Sequence, residues 1–331
     1  MRAAVLHGPL DLKIEDVPEP QCCPDEIIIK VQKASICNST DVHIWDGTFP
    51  EEARPAYPHI LGHENSGEVV EVGEELRGEY KIGDRIGFWC KMSGGFAEYN
   101  NIKPRQLAVT KLSKNLKYEE GSLLEIIGGT LRCFHDSGIK IGQKVLILGQ
   151  GPCGLLFTQL ALLFGASRVY TLDLFNNRLE LSKKYGSNLA YNLTGKDYET
   201  ALSELKNIFQ YVDVVIDTIG KDLWQSGNVR NLALYLLRRH GSYIVWGHPT
   251  ENAVIDLRRI SNEDIILRGF EPGMQKSNEL IKFGEELLSS QRINVTEMIT
   301  NHITLDDLEK GLKLCKNNHD EVIKIVVDIV P

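Results

Sequence analysis

No Cys-x-x-Cys pair occurs among the seven cysteines, Cys22, Cys23, Cys37, Cys90, Cys133, Cys153 and Cys315. Their odd number and scattered spacing exclude a disulfide framework and a four-cysteine zinc site. A reducing, cytoplasmic setting is expected, with most of these thiols acting as small apolar fillers. Basic residues are not in excess: the net charge is −8, which argues against a nucleic-acid or anionic-membrane surface and serves solubility. No apolar run reaches membrane-spanning length. The opening segment MRAAVLHGPLDLKIEDV has no long apolar stretch and meets Pro9 and acids early, so it does not read as a signal peptide. There is no internal repeat and no low-complexity tract.

What is present is an ordinary soluble composition, 42% hydrophobic and 25% charged, in 331 residues. That is more than one core usually holds, so two domains are expected. Residues 1–106 read as mostly β: AAVLH, EIIIKV, GEVVEVG, DRIGFW and FAEYNNI are short runs separated by Pro, Gly and Asp turns. Residues 118–134 read as a helix with acids at its start. From 144 to 269 strands alternate with helices. VLILG, VYTLD, LAYNL, VDVVID, SYIVWG and DIILRG are the strands. Helices are expected at 152–164, 178–185, 197–209 and 222–239. Such alternation predicts right-handed βαβ units and a doubly wound parallel sheet. Two more helices, 277–290 and 305–317, precede a closing strand, VIKIVVDIV.

Gly149-Gln-Gly151-Pro152-Cys153-Gly154 directly follows the strand VLIL and opens a helix. That context turns a weak GxGxxG signal into a dinucleotide turn. Its first glycine permits the tight turn, its second a close approach to pyrophosphate, and its third helix–strand packing. The helix N-terminus faces the phosphates. Asp173 ends the next strand, where a carboxylate accepts from both ribose hydroxyls and repels a 2′-phosphate, so NAD is expected over NADP. Arg178 could contact the same ribose or serve a 2′-phosphate instead.

The second constellation lies in LGHENSGEVVEVG, residues 61–73. An imidazole beside a carboxylate, His63-Glu64, suits a hard or borderline divalent cation. By itself the pair is a common surface accident. Cys37, Asp41 and His43 upstream and Glu125 downstream make a metal the better reading. Trp45, Phe49 and Trp89 lie near these segments, as pocket or as core. Trp246-Gly247-His248 follows a late strand, where ligands of such sheets bind.

Taken in order, these motifs resemble the medium-chain, zinc-dependent alcohol dehydrogenase family, nearer its sorbitol and threonine dehydrogenase branch. The likeness runs nearly end to end: Cys37 with Asp41 and His43, GHExxGxVxxVG at 62–73, KIGDRIG, GGFAEY, Glu125, the GxGxxG, Asp173, VDVVID and the terminal segment. It implies an α/β protein: a Rossmann doubly wound domain, residues 126–267, and a mostly β, GroES-like catalytic domain, residues 1–125 with 268–331. It implies one catalytic zinc held by Cys37 and His63, with Glu64, Glu125 or a water completing the shell. Asp41 resembles the acid that hydrogen-bonds the zinc histidine. His43 resembles the relay histidine. The hydroxyl that hands the proton on is Ser39 counting from Cys37, or Thr40 counting back from Asp41, because this chain is one residue longer there; Thr40 is favoured. Zinc lowers bound water's pKa from about 15.7 to about 7. At about 1.36 kcal/mol per unit, that is roughly 12 kcal/mol, more than a general base supplies.

Two features depart from the family. Its four-cysteine structural-zinc lobe is missing, since GFWCKMSGGFAEY crosses that region directly and Cys90 is isolated. Glu125-Ile126 stands where the polyol branch commonly has Glu-Pro. The implied activity is hydride transfer between NAD and a secondary alcohol or ketone: a polyol, sugar, cyclitol or amino alcohol. A homodimer or homotetramer is implied, with no nucleic-acid or membrane partner. The alternatives are a zinc-free NAD(P)H-dependent enone or quinone reductase of the same fold, and a non-catalytic dinucleotide-sensing protein. The intact ligand set argues against both.

Overall fold

The computed structural model describes residues 1–90, 93–249, 252–270 and 278–330. The chain divides into two compact units, Met1–Gly129 with Gly273–Pro331, and Thr130–Pro272. The helix Leu124–Ser137 carries the chain from the first to the second.

In the second unit the run VLIL becomes the strand Lys144–Leu148, buried from Val145 to Leu148. It has no polar face because it lies inside a parallel sheet covered on both sides. The six strands follow the order Leu189–Asn192, Arg168–Asp173, Lys144–Leu148, Val212–Asp217, Leu237–Val245, Ile266–Gly269, and every neighbouring pair is parallel. The first strand in sequence is thus central, and the chain winds outward to one side and then the other. The reversal lies between Lys144–Leu148 and Val212–Asp217, the switch point where doubly wound sheets bind ligands.

The helix expected at 222–239 is shorter, Val229–Leu236. The Asp222 carboxylate accepts from the amides of Trp224 and Val229, both at 3.0 Å, a loop that competes with helix. Trp224 is turned into the core, its Nε1 donating to Lys196 O at 3.1 Å. At the other end Leu237 pairs with Val212, and strand pairing overrides the helical preference of Leu-Arg-Arg.

In the first unit the strand Ile27–Ser35 is the hub. It pairs antiparallel with Glu64–Val72, Tyr99–Ile102 and Lys324–Asp328. A segment from near the C-terminal end of the chain is therefore built into a sheet begun near its start. The seven-residue helix Thr40–Asp46 follows the hub strand and had no periodic signal in the sequence. The stretch expected as one helix at 118–134 is two, Tyr118–Ser122 and Leu124–Ser137. A Cβ on Gly121 would fall 2.6 Å from Leu112 Cδ1 and 3.1 Å from Ser66 Cβ. Downstream, the helix expected at 277–290 spans Asn278–Ser289, Ser277 lying outside the described residues. Residues Leu305–Asp307 form a 3-10 turn before the helix Leu308–Asn317. Among the described residues no helix is long and apolar enough to cross a membrane.

His59, in the strand His59–Ile60, is buried and stacks on Tyr57 with ring centroids 5.5 Å apart. Burial, with Arg54 nearby, holds its pKa below the ordinary imidazole value. The unfolded chain then binds the proton more readily than the fold. Stability should be unpenalised above about pH 6.5 and fall as the pH drops below it. Urea unfolding at a series of pH values should show this loss, and His59→Phe should diminish it; an unchanged pH dependence would contradict the assignment.

Candidate metal centre and nucleotide turn

Register brings the metal donors together. Ser35 stands opposite Glu64 in the antiparallel pair. Cys37 lies just past one strand end and His63 just before the other, at the same edge of the sheet. Ligand atoms of Cys37, His63 and Glu64 all lie within 4.8 Å of one another. Gly62 makes the approach possible: its φ is +93°, and a Cβ there would fall 2.8 Å from the Phe96 ring.

Asp41, fully buried on the helix Thr40–Asp46, serves both neighbours. Its Oδ2 accepts from the Cys37 amide at 2.9 Å, and its Oδ1 stands 3.2 Å from His63 Nδ1. His63 thereby keeps Nε2 for a metal. Burial alone would lower the His63 pKa, but Asp41 and Cys37 outweigh it and hold it well above the ordinary value. A metal ion would take the place of that proton.

Glu64 is gripped by one oxygen. Its Oε2 lies 2.6 Å from Lys324 Nζ and accepts from Ser35 Oγ. Lys324 is itself buried and donates to Ile36 O at 2.8 Å. Glu64 Oε1 is buried with no hydrogen-bond partner among the described residues. An orphaned carboxylate oxygen beside a thiol and an imidazole fits a borderline divalent cation such as zinc. Glu125, on the helix Leu124–Ser137, feels the charges of His63 and Glu64 but falls outside the three-residue cluster. Burial pushes its carboxyl up to about 7, with His63 opposing and Glu64 reinforcing the rise.

Cys90, Ser35 and Lys324 carried no signal in the sequence. Glu64 pairs with Trp89, which sets Cys90 beside the cluster, its sulfur 3.4 Å from Gly62 O. Burial pushes that thiol up to about 12, the character of a protonated thiol. The hydroxyl candidates sit at the head of the helix: Thr40 is its first residue and is buried, and Ser39 precedes it without a side-chain cap bond. His43 is half-buried, with Nδ1 2.7 Å from Thr48 Oγ1. Trp45 and Trp89 are buried and Phe49 is half-buried.

In the second unit Gly149 turns the chain with φ +80°, and a Cβ on Gly154 would meet Gly149 O at 1.9 Å. Gly151 precedes the helix Pro152–Leu163, whose first turn holds Pro152 and Cys153. Asp173 is buried and oriented by backbone: Oδ2 accepts from the Gln150 amide at 2.5 Å, and Oδ1 from Leu174 and Phe175 at 2.7 and 2.9 Å. The Arg178 guanidinium lies 5.1 Å over the Phe175 ring and near Gly151, where a Cβ would stand 3.9 Å from its Nη1. Behind the turn, Thr218 Oγ1 donates to Leu148 O at 2.8 Å. Arg230, silent in the sequence, ties Asp217 and Ile219 O at 2.7 and 2.6 Å. The amides of Trp246 and Gly247, just ahead of His248, donate to Asp217 O at 2.9 Å.

Lys324→Met should leave the Glu64 carboxylate buried with its cation removed, a loss of about 3–5 kcal/mol. Adding Glu64→Gln should recover part of it. Urea unfolding of the chelator-treated protein measures both; equal stability of wild type and Lys324→Met would show that the pair does not hold this edge.

Comparison with known proteins is consistent across sequence and structure. Residues 23–114 match the alcohol dehydrogenase GroES-like domain, and residues 152–287 match the zinc-binding dehydrogenase model. A sorbitol dehydrogenase of Bacillus subtilis is 29% identical over 357 aligned positions, covering 99% of this chain and 97% of the relative. A probable D-xylulose reductase A of Neosartorya fischeri is 26% identical, covering 94% and 92%. The crystal structure of 2R,3R-butanediol dehydrogenase from Bacillus subtilis superposes with a TM-score of 0.84 at 26% identity, covering 99% of both chains. The chain belongs to the zinc-binding, medium-chain alcohol dehydrogenase family, in its sorbitol dehydrogenase-like branch.

Proposed function

We propose that this chain is a zinc-dependent, NAD-linked dehydrogenase of a secondary alcohol, with a polyol, sugar, cyclitol or amino alcohol as substrate. The observation that carries the reading is the cluster of half-buried Cys37 with buried His63 and Glu64, and its one unpaired carboxylate oxygen. Relatives named for sorbitol, xylulose and butanediol support the substrate class. A zinc-free reductase would have no use for a thiol, an imidazole and a carboxylate converging on one point.

Cys37 and His63 would hold the metal, with Glu64, Glu125 or a water completing its shell. Zinc bound there supplies Lewis-acid stabilisation of the substrate oxygen as its proton leaves. Asp41 fixes the His63 ring and the Cys37 backbone. Thr40 accepts the alcohol's proton while passing its own toward His43, with Ser39 as the neighbouring candidate. The turn Gly149–Gly154 and the Pro152–Leu163 helix N-terminus would take the pyrophosphate. Asp173, held by three amides, retains lone pairs for the ribose hydroxyls, which favours NAD over NADP; Arg178 would line the same side. NAD supplies the hydride acceptor, and the protein's share is alignment. All seven cysteines are free, which supports a reducing, cytoplasmic setting, and we place the protein there as a homodimer or homotetramer.

Oxidation of polyols followed by NADH absorbance should stop on chelation and return with zinc. Turnover indifferent to chelation would remove this mechanism. Asp173→Ala should weaken NAD far more than NADP in a binding titration, and equal loss of both would sink the ribose assignment. Thr40→Ala should reduce turnover about 10²–10⁴-fold and more than Ser39→Ala; the reverse ranking moves the relay to Ser39.

A further inference from the structure

The helix Thr40–Asp46 ends on Gly47 in the left-handed region, φ 80°. The reversal folds Thr48 back over the last turn, and Phe49 N donates to His43 O at 2.9 Å. Thr48 Oγ1 lies 2.7 Å from His43 Nδ1 and donates to Asp46 Oδ1 at 2.5 Å. The Thr48 amide donates to the same oxygen at 3.0 Å. Asp46 Oδ2 is 2.9 Å from Lys316 Nζ, on the helix Leu308–Asn317, and the Asp46 side chain is only 4% exposed.

The donor count in this chain has one solution. A threonine hydroxyl carries a single proton. Asp46 is an ionised acceptor, since its bonds to Thr48 and Lys316 outweigh burial and hold it below the ordinary carboxylate range. The hydroxyl proton therefore goes to Asp46, and Thr48 can only accept from His43. We propose that Thr48 and Asp46 are positioning residues that lock His43 in its Nδ1–H tautomer and leave Nε2 as its proton-accepting atom.

The inference rests on the proposed relay for its functional consequence, though the tautomer stands on geometry alone. The charged groups facing His43 are Asp46 on its own helix and Lys316 on the packed one. Burial lowers the His43 pKa, Asp46 raises it and Lys316 lowers it, and the net lies below the ordinary value. His43 is therefore neutral near pH 7, and the tautomer decides which nitrogen has a lone pair. In the relay an O–H bond of Thr40 breaks as Nε2–H forms, while Thr40 receives the proton of the alcohol. The resulting imidazolium carries both ring protons, and Asp46 stabilises it through Thr48. The same ring held as the Nε2–H tautomer would offer no acceptor on that side.

The test is ¹⁵N NMR of the full-length protein labelled at its nine histidines, with His43 identified by the signal missing in His43→Gln. The expected wild-type spectrum shows His43 Nδ1 protonated and Nε2 bare. Thr48→Val, a change at an exposed position, should shift the ring toward the Nε2–H form that free histidine favours, and Thr48→Ser should restore the original form. Nε2–H in the wild type, or a tautomer unmoved by Thr48→Val, would overturn the proposal. Turnover separates it from the reading beneath: unimpaired turnover of His43→Gln would dismiss His43 as relay, while the Thr48-dependent tautomer would still stand.

Discussion

A carboxylate that the fold buries and only half satisfies governs the first unit, Met1–Gly129 with Gly273–Pro331. Glu64 gives one oxygen to Lys324 and Ser35 and leaves the other without a partner. An ionised carboxylate out of water is tolerated only when paired, and even a buried pair repays desolvation poorly. Lys324 meets part of that demand from the strand Lys324–Asp328. The remainder points at the place where Cys37 and His63 also aim their ligand atoms. The sheet topology follows the same need: the hub strand Ile27–Ser35 lies between Glu64–Val72 and Lys324–Asp328, so distant segments must meet before the cluster exists.

The second unit, Thr130–Pro272, solves a different problem. Its glycines let backbone replace side chain, and the Asp173 carboxylate is oriented by three backbone amides. Preorganisation of that kind is what hydride alignment requires. Arg230 and Thr218 tie the strand end and the loop behind the turn.

The doubly wound sheet was readable because parallel buried strands appear as apolar runs, and GxGxxG carries its own steric logic. His63, Glu64 and Cys37 were readable as chemistry in motif. Lys324, Ser35 and Cys90 were not: each reaches the site through strand register, and nothing in VIKIVV distinguishes a lysine at a metal from one in solvent. The helix at 222–239 was overread for the opposite reason, since Asp222 capture of two amides and the Val212–Leu237 pairing are contacts that propensity does not contain. Thr48 and Asp46 look like an ordinary turn until the left-handed Gly47 folds them onto His43.

Metal content is the most direct measurement, made by elemental mass spectrometry on the purified wild type and on Cys37→Ser. A catalytic cluster of Cys37, His63 and Glu64 predicts about one zinc per wild-type chain, and loss of both metal and turnover in the variant. A zinc-free wild type that still oxidises alcohols with NAD would contradict it, as would a Cys37→Ser protein that keeps its zinc.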